Sequence, residues 1–410
     1  MIRRIMTWAA GAAFLTGCGE NPDLKVLVTN PTPEERTQEM TEIATALVFD
    51  RLDLTDTDQF VIYDEEGNEI PYQLTYDEKV IFPVDVDSMD TAVFTFQKGE
   101  PQMVNTVVYG AQYPEWQDDL AWENDKSAYR VYGPDVQRRG QKSFGYDIFT
   151  KNVSELVMEG RYSLILNEET WKTIKALRKA GQKELADSID HSISYHVDHG
   201  TGMDCYQVGA TLGAGTAAIM NGEEIIYPYC YQDFEILDNG PLRYTMRLKF
   251  TPLVVKNDSN VIETRIIQLD KGSYLNKTTI TYENLTDKQN LAVGIAIHKP
   301  FVDRYNFNTT DGYMAYADPT QNVNNGNGII YVGAVFPKNV QDIKLQEFEK
   351  PQSGAIGHVL ALNEYVPGDD FIYYWGAGWS KAGIKSDTEW IEYLKEYARK
   401  VRTPLIVEIQ

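Results

Sequence analysis

The sequence predicts a mainly β protein in which many antiparallel strands form a large sandwich, with a few helices at its periphery. Short runs of strand-type residues recur from residue 25 to residue 376 and are separated by turn-forming residues. Most of these runs follow one another directly, without the regular helix alternation of a parallel α/β sheet. Apolar residues make up 43% of the 410 residues, which is enough for a sizeable core.

The first hundred residues contain a closely spaced series of strand-like runs. This spacing predicts an antiparallel sandwich or a layer added to one. We therefore assign residues 25–105 to an N-terminal β-rich subdomain and residues 106–410 to the main sandwich domain. The predicted strands are residues 25–29, 43–49, 60–63, 80–83 and 92–96, with a turn at 64–68.

Two further strands are predicted at residues 127–132 and 146–151. Alternation places Arg130 and Tyr132 on one face, and Lys126 shares their parity if the strand starts early. In the second strand, Asp147 and Lys151 share a face.

Two helices are predicted by their apolar spacing. The first covers residues 168–189 with Asn167 as its N-cap, and the second covers residues 388–401 with Asp387 as its cap. The apolar stripe of the first helix is Trp171, Ile174, Leu177 and Leu185.

The remaining strands are predicted at residues 243–250, 261–269, 277–282, 291–298, 329–336 and 371–376. In the strand 291–298, one face carries only large apolar residues and belongs in the core. The other face carries small residues and ends at His298. It either leaves room for a sugar on a concave sheet or is covered by a neighbouring helix, with His298 hydrogen-bonded at the edge.

Charge excludes one class of partner. The chain has 38 basic and 60 acidic residues, a net charge of −22, so no general basic field attracts nucleic acid. Aromatic residues make up 12% and suit both sugar stacking and ordinary strands. Cys205 and Cys230 form either one disulfide or two free buried thiols.

The segment from residue 195 to residue 206 is the richest in reactive side chains. His196, Asp198, His199 and Asp204 fall within nine residues, and Gly200 permits a tight backbone path. These four side chains either serve a ligand or satisfy the turns of their own loop. They could also bind a divalent cation, although their spacing matches no specific metal motif.

Six cations stand out in so acidic a chain. An arginine among them could hold a carboxylate through two parallel hydrogen bonds. The alternatives are a solvated loop for residues 138–142 and a structural ion pair between Arg130 and Asp147. The six are Lys126, Arg130, Arg138, Arg139, Lys142 and Lys151.

Tyr373, Trp375 and Trp379 could stack a sugar ring, with a core role as the alternative. Phosphate-binding loops, dinucleotide fingerprints and G-x-S-x-G elbows are absent from the sequence.

The N-terminus reads as a secretory signal. Arg3 and Arg4 precede an apolar run at residues 5–15, which is too short for a membrane span. Small residues then precede Cys18, as in a bacterial lipobox; the alternative is an ordinary cleaved signal. We expect a signal peptide at residues 1–17 and a lipid-anchored tether at 18–24. The chain would then be held at a bacterial membrane, facing the periplasm or the outer membrane, by its lipid alone.

Two sequence regions together are similar to a known family. One comprises AWEND at residues 121–125, YRVYGP at 129–134 and YDIFTK at 146–151; the other is YHVDHGTGMDCYQVG at 195–209. They resemble a family of bacterial lipoproteins of unknown function whose genes lie among polysaccharide-degradation genes. The resemblance covers nearly all of the mature chain. It implies a galactose-mutarotase-like β-supersandwich, with residues 106–410 as the catalytic domain.

The resemblance also implies an activity, because some family members are linked to an oligosaccharide dehydratase in ulvan breakdown. The substrate would be a uronic-acid-containing oligosaccharide, and loss of water from its terminal uronic acid would give a 4,5-unsaturated sugar. No cofactor is assigned, and a divalent cation is left open.

Elimination from a uronic acid needs three groups. A cation, Arg130 or Lys126, would neutralise the carboxylate. A base, His199, His196 or Tyr132, would take the C5 proton, and His298 or a tyrosine would protonate the leaving hydroxyl. Further substrate-binding candidates are Asp147, Lys151, Tyr195, Asp198, Asp204 and Trp375.

Two other functions remain open on the same sequence. One is polysaccharide cleavage or mutarotation on the same scaffold. The other is a non-catalytic glycan-binding lipoprotein.

Overall fold

The computed structural model describes residues 23–321 and 323–410 of the chain. Cys18 and the predicted signal peptide lie outside these residues. The fold is mainly β, with several antiparallel sheets and peripheral helices, which confirms the predicted class. No helix within the described residues has both the length and the apolar character needed to cross a membrane.

Strands are numbered along the described residues. They are β1 (Leu24–Thr29), β2 (Arg36–Ala44), β3 (Phe60–Tyr63), β4 (Glu69–Ile70), β5 (Gln73–Leu74), β6 (Lys79–Val86), β7 (Thr91–Lys98), β8 (Tyr109–Tyr113), β9 (Asp119–Glu123), β10 (Ala128–Val131), β11 (Asp147–Phe149), β12 (Ala214–Asn221), β13 (Glu224–Ile226), β14 (Tyr231–Asn239), β15 (Arg243–Phe250), β16 (Leu253–Val255), β17 (Asp258–Asp270), β18 (Leu275–Glu283), β19 (Gln289–His298), β20 (Tyr305–Asn308), β21 (Tyr313–Asp318), β22 (Ile330–Val335), β23 (Asp342–Gln352), β24 (Ala355–Tyr365), β25 (Phe371–Trp379) and β26 (Ile406–Ile409).

Helices of the described residues lie at the periphery of these sheets. They are α1 (Thr45–Arg51), α2 (Pro134–Arg138), α3 (Met158–Ile165), α4 (Glu168–Lys179), α5 (Lys183–Ile193) and α6 (Asp387–Arg402), with a short 3₁₀ helix at Val323–Asn325.

The N-terminal strands form a small sandwich with its own core. One sheet has the order β26-β1-β7-β3-β4, and the other has the order β2-β6-β5. Buried Val26, Phe82 and Phe96 pack between them. The last strand of the chain, β26, pairs with β1, so the C-terminus also contributes to this sandwich. The division at residues 105 and 106 stays a prediction.

The main sandwich consists of a five-stranded and a nine-stranded sheet. The five-stranded sheet has the order β13-β12-β19-β24-β23. The nine-stranded sheet runs β14-β15-β17-β18-β25-β22-β21-β20, with β16 paired to β17. Alternate residues of β15 and β19 are buried in the shared core, as their period-two pattern predicts. These residues are Tyr244, Met246, Leu248, Phe250, Leu291, Val293, Ile295 and Ile297.

A four-stranded sheet, β11-β10-β9-β8, packs against the nine-stranded sheet through aromatic side chains. Tyr146 stacks on Trp375 with ring centroids 3.9 Å apart, and Tyr129 meets the same indole edge-on. This contact fixes the position of β10 and β11, which carry Arg130 and Asp147, relative to the main sandwich.

Three local predictions are wrong. Residues 45–51 form helix α1 instead of continuing a strand, because a short apolar run does not distinguish the two states. The predicted helix 168–189 is two helices, broken where Gly181 adopts a φ of +78°. Leu185 then lies on the second helix with 52% of its surface exposed, outside the predicted stripe.

Of the two predicted helix caps, one is confirmed and one is wrong. Asn167 caps α4 by accepting a hydrogen bond from the Thr170 amide, as predicted. The cap of α6 is Ser386, one residue before the predicted Asp387, and its hydroxyl accepts from the Glu389 amide.

The small face of β19 is filled by the protein itself. A Cβ added to Gly294 would lie 2.4 Å from a methyl group of Leu212 and 2.9 Å from one of Leu360. A loop residue and the neighbouring strand thus occupy the space that the sequence suggested for a sugar. The sugar-binding interpretation of this face is therefore wrong, and the covering element is a loop where the alternative expected a helix.

Candidate functional site

Two groups of buried polar side chains, one on the four-stranded sheet and one in the main sandwich, are candidates for a functional site. The first, called the arginine cluster, consists of Arg130 with Asp119, Asp147 and Asp204. The second, called the histidine pair, consists of His298 and Asp318.

The arginine cluster joins one buried guanidinium to three buried carboxyl groups. Nε and Nη2 of Arg130 both donate to Asp147, and Nη2 also donates to Asp204 at 3.0 Å. Nη1 lies 3.4 Å from a carboxyl oxygen of Asp119. Only about 5% of Arg130 is exposed. Because every guanidinium nitrogen already has a protein acceptor, the prediction that Arg130 holds a substrate carboxylate is wrong.

Aromatic side chains enclose the same guanidinium. Its central carbon lies 4.7 Å from the ring centre of Tyr132 and 4.8 Å from that of Phe149. The hydroxyl of Tyr132 donates to Asp147 at 2.6 Å, and that of Tyr195 accepts from Arg130 at 3.2 Å. Tyr132 and Tyr195 are thus built into the cluster.

One cation cannot neutralise three carboxylates in a buried site. Burial raises the pKa of Asp119 to about 7, and burial together with the Asp147 charge raises the pKa of Asp204 to about 6. Each of these two residues also keeps one buried oxygen without a hydrogen-bond partner among the described residues. Both observations fit carboxyl groups that keep a proton to higher pH than an ordinary aspartate, Asp119 more so than Asp204.

The histidine pair fixes the orientation of an imidazole. Nδ1 of His298 lies 2.7 Å from Oδ2 of Asp318, whose other oxygen accepts from the Thr320 amide at 2.8 Å. Because a carboxylate only accepts, Nδ1 carries a proton, and in the neutral imidazole Nε2 is then the nitrogen with the lone pair. The main chain of His298 is also held, since Tyr316 Oη accepts from its amide and donates to its carbonyl.

Backbone geometry explains why His298 leaves the small face of its strand. The register of β19 against β24 shifts between Ile297 and His298, and such a bulge changes the direction of the following side chain. His298 therefore reaches Tyr316 and Asp318 of the opposite, nine-stranded sheet.

Two polar atoms beside this pair have no partner among the described residues. They are Nε2 of His298 and Oη of Tyr206, and both are buried. The two rings meet edge-on with centroids 6.0 Å apart. An unpaired acceptor and an unpaired hydroxyl at such a separation are the groups that a ligand or a substrate would satisfy.

The two groups are joined by the backbone of residues 204–206. Asp204 belongs to the arginine cluster, and Tyr206 faces His298. Burial, with the Asp318 charge as the next cause, raises the pKa of Tyr206 well above its usual range. The hydroxyl therefore keeps its proton at neutral pH, so the site pairs a basic nitrogen with a proton donor.

Of the two predicted bases, His196 borders the arginine cluster from the surface, with Nδ1 3.6 Å from Oδ2 of Asp204, and His199 does not contact either group in the part of the chain that the structure describes. The side chain of His196 is 55% exposed, and its Nδ1 donates to the carbonyl of Asp204 at 3.1 Å. His199 is exposed, and its Nε2 donates to the carbonyl of Ser194 at 3.1 Å. Within the described residues, no hydrogen bond or ring contact joins His199 to His298 or Arg130.

The metal hypothesis for the loop 196–204 is wrong. Asp198 accepts from the amides of Gly200 and Gly202, so it satisfies its own turn. Gly202 has a φ of +98°, and an added Cβ would lie 2.1 Å from the Thr150 carbonyl oxygen. The close approach that Gly202 permits is therefore to the backbone of Thr150 and not to a ligand. Across residues 23–321 and 323–410, no group of three or more His, Cys, Asp or Glu is arranged to hold a metal ion.

The predicted lysines also have structural environments. Lys151 is buried, with its ammonium 2.7 Å from Glu123 and 2.6 Å from the Asn124 carbonyl oxygen, so its predicted substrate role is wrong. Lys126 is exposed on a turn, 3.7 Å from Asp125. Arg138, Arg139 and Lys142 are exposed, as the solvated alternative expected.

Predicted sugar-stacking residues lie in the core. Trp375 and Tyr373 are fully buried, and Trp379 is 3% exposed with its indole N–H donating to the Asn327 carbonyl. The prediction that Trp375 binds substrate is therefore wrong. Cys205 and Cys230 are both buried and free.

Sequence reasoning missed Asp318, Tyr206 and Tyr316. Asp318 ends a strand that was not predicted, and its distance from His298 depends on the packing of two sheets. Tyr206 lay inside the reactive segment, but nothing in its spacing showed that its hydroxyl would be unpaired.

Comparisons with known proteins identify the family and leave the activity open. A family model described as "Domain of unknown function (DUF4861)" matches residues 28–407. A protein of Formosa agariphila, "Uncharacterized protein P7", is 25% identical over 358 residues, which are 86% of this chain and 82% of that protein.

Two solved structures resemble the fold weakly. One is a protein in the glycosyl hydrolase family 38 from Enterococcus faecalis, with a TM-score of 0.48 and 8% identity over 96% of this chain. The other is an alpha-mannosidase from Enterococcus faecalis V583, with a TM-score of 0.43 and 9% identity over 95% of this chain. The chain spans 48% and 46% of those two structures.

Proposed function

We propose that this chain, which belongs to the DUF4861 family, is a carbohydrate-active lyase of the dehydratase type. Its substrate would be an oligosaccharide with a terminal uronic acid. The observation that carries the proposal is the buried Nε2 of His298, on a ring oriented by Asp318 and without a hydrogen-bond partner among the described residues. The sequence resemblance to lipoproteins linked to a dehydratase supplies the substrate class.

His298 and Tyr206 divide the chemistry between them. Nε2 of His298 takes the C5 proton of the uronic acid, and the electron pair of that C–H bond forms the C4–C5 double bond. The C4–O bond breaks, and Tyr206 Oη donates its proton to the leaving hydroxyl, which departs as water. Asp318 stabilises the imidazolium that results and holds its orientation.

The uronic carboxylate needs a cation other than Arg130 to stabilise the carbanion that develops beside it. Lys299 directly follows His298 in the chain and is exposed. We assign this role to Lys299, replacing Arg130 and Lys126.

Substrate entry requires an opening of the site. Nε2 of His298 and Oη of Tyr206 are both buried in the free protein. Binding of the sugar must therefore displace residues that cover them, and closure would exclude water from the elimination.

Incubation with oligosaccharides that end in a uronic acid tests the proposal. The expected product has the mass of the substrate minus one water, absorbs in the ultraviolet through its new conjugated double bond, and keeps its chain length. Shortened chains would indicate a polysaccharide lyase, and saturable binding without any product would indicate a glycan-binding protein. Either result would overturn the dehydratase assignment.

We further propose that Cys18 carries a lipid that tethers the enzyme to a bacterial membrane. Metabolic labelling with a radioactive or clickable fatty acid should mark the wild-type chain in its native host. The Cys18→Ser variant should remain unlabelled, and a labelled variant would contradict the proposal.

A further inference from the structure

A cavity lies on the outward face of the nine-stranded sheet, opposite the face that carries the core. It has a volume of about 470 Å³, within the range of small-molecule sites. Strand β2 of the N-terminal sandwich lines one side, and helix α6 lines another. The cavity is thus walled by three elements that are distant in sequence.

The strand register builds a polar row along its floor. Lys277 of β18 lies opposite Gln268 of β17 and opposite Tyr374 of β25. Arg243 lies opposite Asp270, two residues along β17 from Gln268, so both pairs lie on the same face. Alternate residues of these strands point into the core, which leaves the polar row facing the cavity.

One cation of this row has no direct partner within the described part of the chain. Arg243 donates to both carboxyl oxygens of Asp270, at 2.6 and 2.8 Å, and Lys400 pairs with Glu396 at 2.8 Å. Lys277 has no hydrogen-bond or ion-pair acceptor among the described residues. Burial lowers its pKa below the usual range. On the floor of the cavity Lys277 thus has no direct acceptor in the described structure, and its surroundings contain the opposing charges of Glu42 and Asp270 together with the like charges of Arg243 and Lys79.

Tyrosines complete the walls. Tyr374 lies opposite Lys277 on the neighbouring strand. The ring of Tyr397, from α6, meets the ring of Tyr374 edge-on, with centroids 5.2 Å apart. The hydroxyl of Tyr374 has no hydrogen-bond partner among the described residues. The two aromatic rings suit the apolar face of a sugar ring, and the free hydroxyl of Tyr374 suits one of its hydroxyl groups.

We propose that this cavity binds one anionic sugar residue, with its carboxylate or sulfate ester on Lys277 and its ring against Tyr374 and Tyr397. The site is separate from His298, and a sugar in it would contact the N-terminal sandwich, the nine-stranded sheet and α6 together. An anionic glycan would thereby be held at a second point, away from the site of elimination. The ligand chemistry rests on this cavity and does not depend on the proposed dehydratase activity.

Binding measurements on the full chain test the proposal. The probes are methyl glucuronide for a carboxylate, methyl glucoside 6-sulfate for a sulfate ester, and neutral methyl glucoside. By calorimetry, at least one anionic probe should bind at least tenfold more tightly than methyl glucoside. Lys277→Met should abolish that preference, whereas Lys350→Met, which removes an exposed cation from β23, should leave it unchanged.

The position of the bound sugar is tested by acetylation of lysines followed by mass spectrometry. The bound probe should slow modification of Lys277 and leave Lys350 unaffected. The same protection should appear in the His298→Gln variant, because the two sites are separate.

Thermal stability gives a second measurement of sugar binding if the affinity is too weak for calorimetry. Without ligand, Lys277→Met should be at least as stable as the wild type, since it removes a partly buried charge that has no partner. The anionic probe should raise the melting temperature of the wild type only. Equal binding of neutral and anionic sugars, an unchanged preference in Lys277→Met, or unprotected Lys277 at saturating probe would each overturn the proposal.

Discussion

Nδ1 of His298 lies 2.7 Å from Oδ2 of Asp318, across the two sheets of the main sandwich. The contact exists because a bulge at the end of β19 turns His298 toward β21, where Tyr316 holds its main chain. It makes Nδ1 the protonated nitrogen and leaves Nε2 as the base. The proposed chemistry depends on this tautomer.

Replacement of Asp318 by Asn should lower the rate of elimination. The amide can donate to Nδ1, which favours the tautomer with a protonated, inactive Nε2. We expect kcat to fall about 100-fold, within the range of general acid–base effects. Steady-state kinetics on the uronate oligosaccharide measure this, with circular dichroism as the check on folding. A variant with unchanged kcat across the pH range would contradict the role of Asp318.

Tyr206→Phe separates catalysis from stability. The lost hydroxyl has no hydrogen-bond partner in the described structure, so its removal leaves no other group unsatisfied. The melting temperature should stay the same or rise slightly, while kcat falls about 100-fold through loss of the proton donor. The matched control is Tyr316→Phe, which removes a hydroxyl that bonds to the His298 backbone and should destabilise the fold. Full activity in Tyr206→Phe would exclude it as the acid.

Histidine modification measures how closed the site is. Diethyl pyrocarbonate should react quickly with His191, His196 and His199, which are exposed, and slowly with His298 and His358, which are buried. Peptide mapping by mass spectrometry over time gives each rate. Modification of His298 as fast as that of His199 would show that the site is open without substrate.

The arginine cluster predicts a pH-dependent stability. The pKa of Asp119 is about 7 in the folded protein, against 3.8 for an unperturbed aspartate. A raised folded pKa contributes stability that is fully present below the unfolded value and is lost as pH rises through the folded value. The unfolding free energy of the wild type should therefore decrease, through this group, between about pH 4 and pH 7.

Asp119→Asn removes this contribution because an amide does not ionise. The free energy of unfolding of the variant, measured by urea titration, should rise relative to that of the wild type as pH increases over this window. The expected change is on the order of a few kcal/mol. A difference between the two proteins that is constant from pH 4 to pH 8 would contradict the raised pKa.

Local patterns predicted the fold well where one periodicity dominated. The alternation in β15 and the small and large faces of β19 follow from side-chain direction, which is a local property. The strand predicted at residues 43–49 was wrong for most of its length, because a short apolar run fits either a strand or a helix. The helix break at Gly181 was not predicted, because the apolar residues on its two sides were spaced as in one continuous helix.

The site was less predictable for a physical reason. His298 was identified from its strand, but its partner Asp318 comes from another sheet, and that distance is a tertiary property. Arg130 looked available because sequence shows a charge without its surroundings. Its enclosure by Asp119, Asp147 and Asp204 arises from three segments that meet only in the folded chain.

His298 is the proposed base of the water-eliminating reaction. Its most direct test is the mass of the products that wild type, His298→Gln and the exposed-residue control His199→Gln form from a uronate-terminated oligosaccharide. We expect wild type and His199→Gln to convert the substrate to a product one water lighter, and His298→Gln to leave it unchanged while remaining folded. Equal conversion by His298→Gln, or a lost activity in His199→Gln alone, would contradict the account.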